Sequence, residues 1–368
     1  MALNPSGAIS LAGPSAGQSI AVELGVSATA TISLNDTNVR TLAGVASGVI
    51  VMPTNFWGKS NFTGTQKAIF GYGSGIAPPV YSVTNLVSST GVVASDTPGV
   101  GTARTQLGAA TYGGDKAIFG YGLNPDASPS AATRLSMTNL VSNTGVVSSD
   151  TPGIGPNRFR VGAVGYGSDK ALFAFGATPG SSNAINLVSN TGVVASATSA
   201  APATSRMYVA GSTYGGDKAI FGYGSTPTAS STVYSITNLV SNTGVFTADI
   251  AGVGTARTEL ASASYGGDKA IFGYGVSVPT TFTVYSMTNL VSNTGVVSSD
   301  TPGIGTNRYG LAAAGYGSDK AIFGFGAGGP GFLNITNLVS NTGVVSSDTP
   351  GVGSQRRSLA AAGYSTTA

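Results

Sequence analysis

Six arginines recur at intervals of about fifty residues: Arg104, Arg158, Arg206, Arg257, Arg308 and Arg356. Asp96, Asp150, Asp249, Asp300 and Asp348 stand eight residues before five of them, and Thr198 holds that place before Arg206. Two chemistries suit the pattern. An Asp and an Arg at a fixed offset make a charge-assisted pair that fastens one crossing of the chain. Alternatively, six guanidinium groups gathered at one mouth of a symmetric scaffold attract a phosphate, sulfate or carboxylate, with Arg206, lacking its acid, as the freest donor. Catalysis fits less well. The chain has no His and no Cys, and Asp115, Asp169, Asp217, Asp268 and Asp319 each sit directly before a repeated Lys. Charges distributed with the symmetry of a scaffold serve its turns, whereas a catalytic centre needs an asymmetric cluster, such as a nucleophile with its base or two unequal carboxylates. The sequence shows no such cluster and no metal-ligand set, so it predicts no enzyme, no metal and no cofactor.

The elements that carry these residues are short strands. Lys67, Lys116, Lys170, Lys218, Lys269 and Lys320 each open a string close to Lys-Ala-Ile-Phe-Gly-Tyr-Gly. A β-rich repeat of this period signals small sheets arrayed around an axis. In the repeat over 101–152, a strand of small residues leads to the turn signal Gly113-Gly-Asp115, then to the Lys116 strand. A variable stretch follows, then a third strand around Leu135, the turn Ser142-Asn143-Thr144-Gly145, and a fourth strand from Val146. Successive Ile and Phe in the second strand point to opposite faces, so Phe70, Phe119, Phe173, Phe221, Phe272 and Phe323 are expected to pack between neighbouring sheets. Five of the arginines precede a repeated Lys by twelve residues, whereas Arg356 is followed only by a first strand. Lys67, conversely, begins a second strand with no first strand before it. The expectation is an all-β, six-bladed β-propeller of four-stranded blades, with one blade completed by strands from both ends of the chain.

Composition agrees. The chain is 8% charged and 41% hydrophobic, with 55 Gly in 368 residues and a net charge of +3. Enough apolar surface is present to fold, and the charge is too weak and scattered for nucleic acid. There is no run of about 18 apolar residues, which predicts a soluble protein without membrane insertion. Residues 1–62 lie outside the repeat and form a separate, mainly helical module before a repeat domain over 63–368. A short helix ends near Gly25, and a second, capped by Ser33, is stopped by Gly44. Met52 to Ser60 holds a third element with Trp57.

The repeats also differ from one another. Stretches 74–80, 123–133, 177–183, 225–233, 276–284 and 327–332 vary in every unit and emerge opposite the two uniform turns, on the face that carries the Arg crossings. Varied loops on a uniform scaffold suit recognition. Tyr81, Tyr234, Phe282 and Phe332 are their aromatic candidates for sugar or protein contact.

The order Arg, small-residue strand, Gly-Asp-Lys-Ala-Ile-Phe-Gly-Tyr-Gly, then Tyr285-Ser-Met-Thr-Asn-Leu-Val-Ser-Asn-Thr-Gly is similar to the kelch repeat of β-propellers over residues 65–368. It differs in having Gly-Tyr-Gly or Gly-Phe-Gly for the kelch Gly-Gly, and Val146, Phe246 or Val296 for the kelch Trp. Within residues 1–62, Ile32-Ser-Leu-Asn-Asp, Val39-Arg-Thr-Leu-Ala-Gly, Ser47-Gly-Val-Ile and Phe56-Trp-Gly-Lys-Ser resemble a segment found at the N-terminus of virion proteins of tailed bacteriophages. A small helical cap is the alternative. The phage resemblance implies a module that attaches to other virion proteins through residues such as Glu23, Leu34, Arg40, Phe56, Trp57 and Lys59. The protein would be made in the host cytoplasm and carried in several copies on the particle surface. It would be a tail fibre or adhesion component whose loop face binds a host glycan or protein. A capsid decoration or head fibre with a purely structural role is the other expectation.

Overall fold

Five residues that alternate in burial, a Gly-rich turn and five more residues buried on both faces make a hairpin whose second strand is the middle of a sheet. The computed structural model of the chain builds this unit six times. It describes residues 64–367 except 77–79, 126–132, 198–200, 227–231, 279–280 and 330, and before them residues 3, 9–11, 19–24, 27, 29, 31–45 and 47–52. Met1–Thr63 and Gly64–Ala368 are two compact units.

The second unit is all-β and consists of small antiparallel sheets, six of them three-stranded. Sheet 1 joins Ala360–Tyr364, Lys67–Gly71 and Thr84–Val87. Sheet 2 joins Gly108–Tyr112, Lys116–Asn124 and Thr133–Val141, and sheet 3 joins Gly162–Tyr166, Lys170–Ala174 and Ile185–Val188. Sheet 4 is Ala210–Tyr214, Lys218–Gly222 and Thr237–Val240. Sheet 5 is Ala261–Tyr265, Lys269–Gly273 and Thr288–Val291, and sheet 6 is Ala312–Tyr316, Lys320–Gly324 and Thr336–Val339. In each the Lys strand is central. In sheet 1 its partner comes from the far end of the chain, with Lys67 opposite Tyr364 and Gly71 opposite Ala360.

Neighbouring sheets lock through the repeated string itself. Phe70, Phe119, Phe173, Phe221, Phe272 and Phe323 are all fully buried, as the alternation predicts. A Cβ added to Gly71 would lie 2.8 Å from the Phe119 ring, and Gly273 would meet Phe323 at the same distance. The Gly four residues after the Lys (Gly71, Gly120, Gly222, Gly273 and Gly324) therefore makes room for the Phe of the next sheet; sheet 3 has Ala174 there, and Gly162 and Gly211 make room for Phe221 instead. The adjoining ring packs on it edge-on, as Tyr72 does on Phe119 at 5.2 Å between centroids. Such edge contacts add about 0.5–1.5 kcal/mol each beyond area burial. The first turns are stitched by backbone bonds: Gly113 N–H donates to Asp169 O, Gly167 to Asp217 O, Gly215 to Asp268 O and Gly266 to Asp319 O. Gly317 N–H donates to Gln66 O, and Ser365 N–H to Asp115 O.

The expected fourth strand is only partly a strand. Its segment bridges the third at two places, Thr138 with Thr151 and Val141 with Val147 in sheet 2. Four residue steps on one side face three on the other, so the pairing bulges, and the Asn139 side chain enters the gap to donate to Ser148 O (3.0 Å).

In the first unit, helix α1 (Ile20–Glu23) and helix α2 (Thr37–Ala43) share a small core of Leu3, Ile9, Ile20, Val39, Leu42 and Ala43. Gly44 ends α2 in the left-handed conformation at φ 71°, as expected of it. Ser33 does not cap that helix: Asp36 occupies the N-cap position, and the Ser33 Oγ instead accepts from Asn35 N–H within the preceding turn. Nearly all of the third element falls outside the described residues.

Candidate functional site

The repeated arginines do not form an open anion-binding ring. All six are completely buried. Arg104 donates from Nε to Tyr121 O (2.9 Å), from Nη1 to Thr102 O (3.1 Å) and from Nη2 to Asn139 Oδ1 (2.6 Å). Arg356 repeats this with Tyr72 O, Ser354 O and Asn85. Arg158, Arg206 and Arg308 likewise donate to Asn186, Asn238 and Asn337. Each guanidinium also lies over the aromatic ring of the preceding sheet, Arg104 over Tyr72 at 4.2 Å and Arg257 over Tyr223 at 4.7 Å. One side chain thus holds its own sheet by hydrogen bonds and its neighbour by a cation–π contact. The geometry needs the aromatic carbonyl turned inward, and Tyr72, Tyr121, Phe175, Tyr223, Tyr274 and Phe325 adopt left-handed backbone, φ 63–65°, to present it. Burial lowers the pKa of Arg206 and Arg356 to about 10, against the pull of Asp249 and Asp96.

The acid that serves each arginine is the next one along, not the one eight residues before. Asp150 accepts from Asn139 Nδ2 (2.9 Å), Thr102 N–H (2.9 Å) and Thr102 Oγ1 (2.7 Å), and lies 3.9 Å from Arg104. Asp300 does the same for Thr255 and Arg257, and Asp96 for Ser354 and Arg356. Burial raises these carboxyls, but the hydrogen bonds and the arginine outweigh it, and Asp96, Asp150, Asp249, Asp300 and Asp348 all end below the ordinary value. Arg206 therefore has its acid, Asp249, clasped by Thr204. The exception is sheet 3. Ala197 stands where the acid would be and Pro156, which has no N–H, stands where the Thr donor would be, so Arg158 lacks the clasp. Thr198 lies outside the described residues.

Two positions beyond each arginine the repeats stop agreeing. Gln106, Arg160, Tyr208, Glu259, Gly310 and Ser358 form the rim of a cavity of about 100 Å³. One residue further, Leu107, Val161, Val209, Leu260, Leu311 and Leu359 form an aliphatic collar beneath it. Below the collar the six first strands, each contributing three residues such as Ala109, Ala110 and Thr111, line a second cavity of about 60 Å³. The rim is held by bonds from backbone to backbone: Gln106 N–H donates to Ser358 O, Arg160 to Gln106 O, Tyr208 to Arg160 O, Gly310 to Glu259 O and Ser358 to Gly310 O. Every rim residue has left-handed φ, between 52° and 61°.

The rim is the asymmetric cluster that the sequence did not disclose. Arg160 donates from Nε to Gln106 Oε1 (3.1 Å) and stacks over Tyr208 at 4.5 Å. Burial raises the Glu259 carboxyl, opposed by Arg357 and Arg160. Burial and the Glu259 charge raise the Tyr208 hydroxyl, opposed by the two arginines. Among the described residues no group of three or more acids, His or Cys could hold a metal. The signal that could have found the rim is the single strand-leading position that reads Gln, Arg, Tyr, Glu, Gly and Ser in otherwise matching repeats.

Of the loop aromatics, the structure brings two together. Phe282 is 61% exposed and packs edge-on against Tyr309 at 5.4 Å. Arg357 donates to the Tyr309 hydroxyl (3.0 Å) and lies over both Tyr309 and Phe332, linking this group to the rim. Tyr81 and Tyr234 are half-buried in other sheets, where their backbone N–H groups donate to Gly73 O and Gly224 O. In the first unit Glu23, Leu34 and Arg40 are half-buried, and Arg40, on α2, donates to Gly48 O (2.7 Å) in the segment that follows the helix. Phe56, Trp57 and Lys59 lie outside the described residues.

Fold and site together define an all-β protein of small antiparallel sheets with a polar cavity where the first strands begin. No family model and no curated protein matches the chain. Among solved structures, that of YjhT is similar in fold, with a TM-score of 0.52 at 11% identity, covering 70% of this chain and 89% of that one.

Proposed function

We propose that residues 64–368 are a six-bladed, kelch-like β-propeller that recognises a ligand on a host cell surface. On this reading the chain is a bacteriophage virion component, a tail fibre or adhesion protein held to the particle by residues 1–63. The observation that carries the reading is where the six copies differ. The clamps, turns and inter-sheet locks repeat, whereas the rim and the loops leading from the central strands vary and share one end of every sheet. Bridges such as Ser74 with Arg357 and Phe159 with Ala177 tie the start of these loops to the strand that carries the rim. The order of strands within each repeat, the pairing of Lys67–Gly71 with Ala360–Tyr364 and the backbone stitching of the first turns support the propeller. The word-like matches in residues 32–60 to phage virion segments support the attachment role. Recognition is noncovalent, since the rim presents a single carboxyl and no nucleophile with its base, and several copies per particle offset weak single-site affinity.

Adsorption tests this. Purified protein, added to susceptible bacteria, is expected to bind them and to slow adsorption of the phage, and antibody against the chain is expected to label the tail by electron microscopy. Label spread over the capsid lattice, with protein that binds no cells, would instead mean a structural decoration.

A further inference from the structure

We propose that the rim cavity is a binding site for one uncharged sugar ring, gripped through two adjacent hydroxyls by the Glu259 carboxyl. This deepens the adhesion reading and rests on it for the identity of the ligand as a surface glycan. Three observations converge on Glu259. Its carboxyl lines the cavity, and among the described residues it accepts no hydrogen bond and makes no ion pair, although it is half-buried. A half-buried carboxyl without partners is costly unless something supplies donors. Its backbone is left-handed, as it is at four other non-glycine rim positions. Gly310 shows that glycine fits this conformation without strain, so bulky polar side chains are kept at the rim at a cost that scaffold needs alone do not explain.

The space beside Glu259 is open because of Gly310. A Cβ there would lie 3.3 Å from Glu259 Oε2. The cavity of about 100 Å³ admits the hydroxyl edge of a ring while the remainder stays in the open mouth. Its layering matches such a ring: polar rim for hydroxyls, aliphatic collar for a C–H face. Gln106 and Ser358 bring donors, and Tyr208 and Glu259 bring acceptors. An anionic ligand fits worse. Arg160 is already engaged by Gln106, Arg357 is engaged by Tyr309, and the Glu259 carboxyl would face the incoming charge.

Ligand-observed NMR on the full chain provides the test, with D-glucose, D-galactose, D-mannose and L-rhamnose as probes. At least one is expected to bind, with a Kd of about 1 mM, as a single small ring in an open site allows. Glu259→Leu should weaken it at least about tenfold without lowering the melting temperature, because no internal bond is lost. Gly310→Gln, which copies the residue at the Gln106 position, should block the site by filling it. Failure of all four sugars to bind, binding unchanged by both variants, or displacement of the sugar by acetate or phosphate would each overturn the proposal. Adsorption to cells retained in Glu259→Leu removes this site and leaves the adhesion reading intact. Sugar binding by a protein that adsorbs to no cell removes the adhesion reading and leaves the site.

Discussion

At the scale of single residues, a buried Arg needs acceptors within the protein; Arg158, Arg206 and Arg308 each leave Nε without one, whereas the other clamps engage it. Arg257 meets that condition with Tyr274 O (2.8 Å), Thr255 O (3.1 Å) and the fully buried Asn289, beneath the ring of Tyr223. Arg257→Met should therefore destabilise the protein by about 3–5 kcal/mol, because Asn289 and two carbonyls are left without donors. Arg257→Lys should recover little, since an ammonium cannot fork to three acceptors. Urea unfolding of both variants checks this; a loss under about 1 kcal/mol for the Met variant would contradict the clamp. The arginines were legible as a series but not as a core. Arg is exposed by default, and the sign that it turns inward is its acceptor, the Asn repeated in every third strand as Asn85, Asn139, Asn186, Asn238, Asn289 and Asn337. An amide at a constant core position needs a constant donor. Glu259 and Arg160 were harder to see, because nothing in their own neighbourhood marks them.

At the scale of elements, the central strands were legible because their alternation and their terminal Gly have one packing solution, whereas the fourth segment was not, because a side chain displaces part of its ladder. Sheet 3 shows how coupled that region is. It has lost both partners of the clasp together, with Pro156 for the donor and Ala197 for the acid, while Gly155 keeps the left-handed turn at φ 92°. An acid there would regain Asn186 Nδ2 and the charge of Arg158 but not the Thr donor, and a donor without an acid gains nothing. Ala197→Asp alone should be mildly stabilising, by about 0.5 kcal/mol, and Pro156→Thr alone slightly unfavourable through the loss of Pro. The double variant should exceed the sum of the singles by about 0.5–3 kcal/mol, as coupled neighbours do. Thermal melts of the four proteins close the cycle, and strict additivity would show that the clasp stabilises nothing.

At the scale of the whole molecule, the uniform charges belong to stability, and the variable rim is where the proposed recognition would act. Removing residues 353–368 takes away Arg356 and the partner of Lys67–Gly71, and should convert the repeat unit into an aggregating species. A truncated protein that melts at the same temperature would sink the proposed six-bladed closure. Acid probes the same architecture without cutting the chain. Asp96, Asp150, Asp249, Asp300 and Asp348 have pKa values below the ordinary value, so the folded state takes up their protons less readily than the unfolded chain. Their contribution is complete above the unfolded aspartate value of about 3.9 and is lost as the pH falls through the lower folded values. Glu259 has the opposite sign. Its raised pKa means that the folded state binds the proton more readily, so acidification from neutrality towards about pH 4.3 stabilises through this one group. The melting temperature should thus be level or rise slightly from pH 7 to about 5, then fall steeply below about pH 4. Asp300→Asn should lower the neutral plateau and soften the acid limb, while Glu259→Leu should remove the rise and leave the acid limb unchanged. A melting temperature that keeps climbing below pH 4 would mean that the clasped carboxylates are not what holds the crossings between strands.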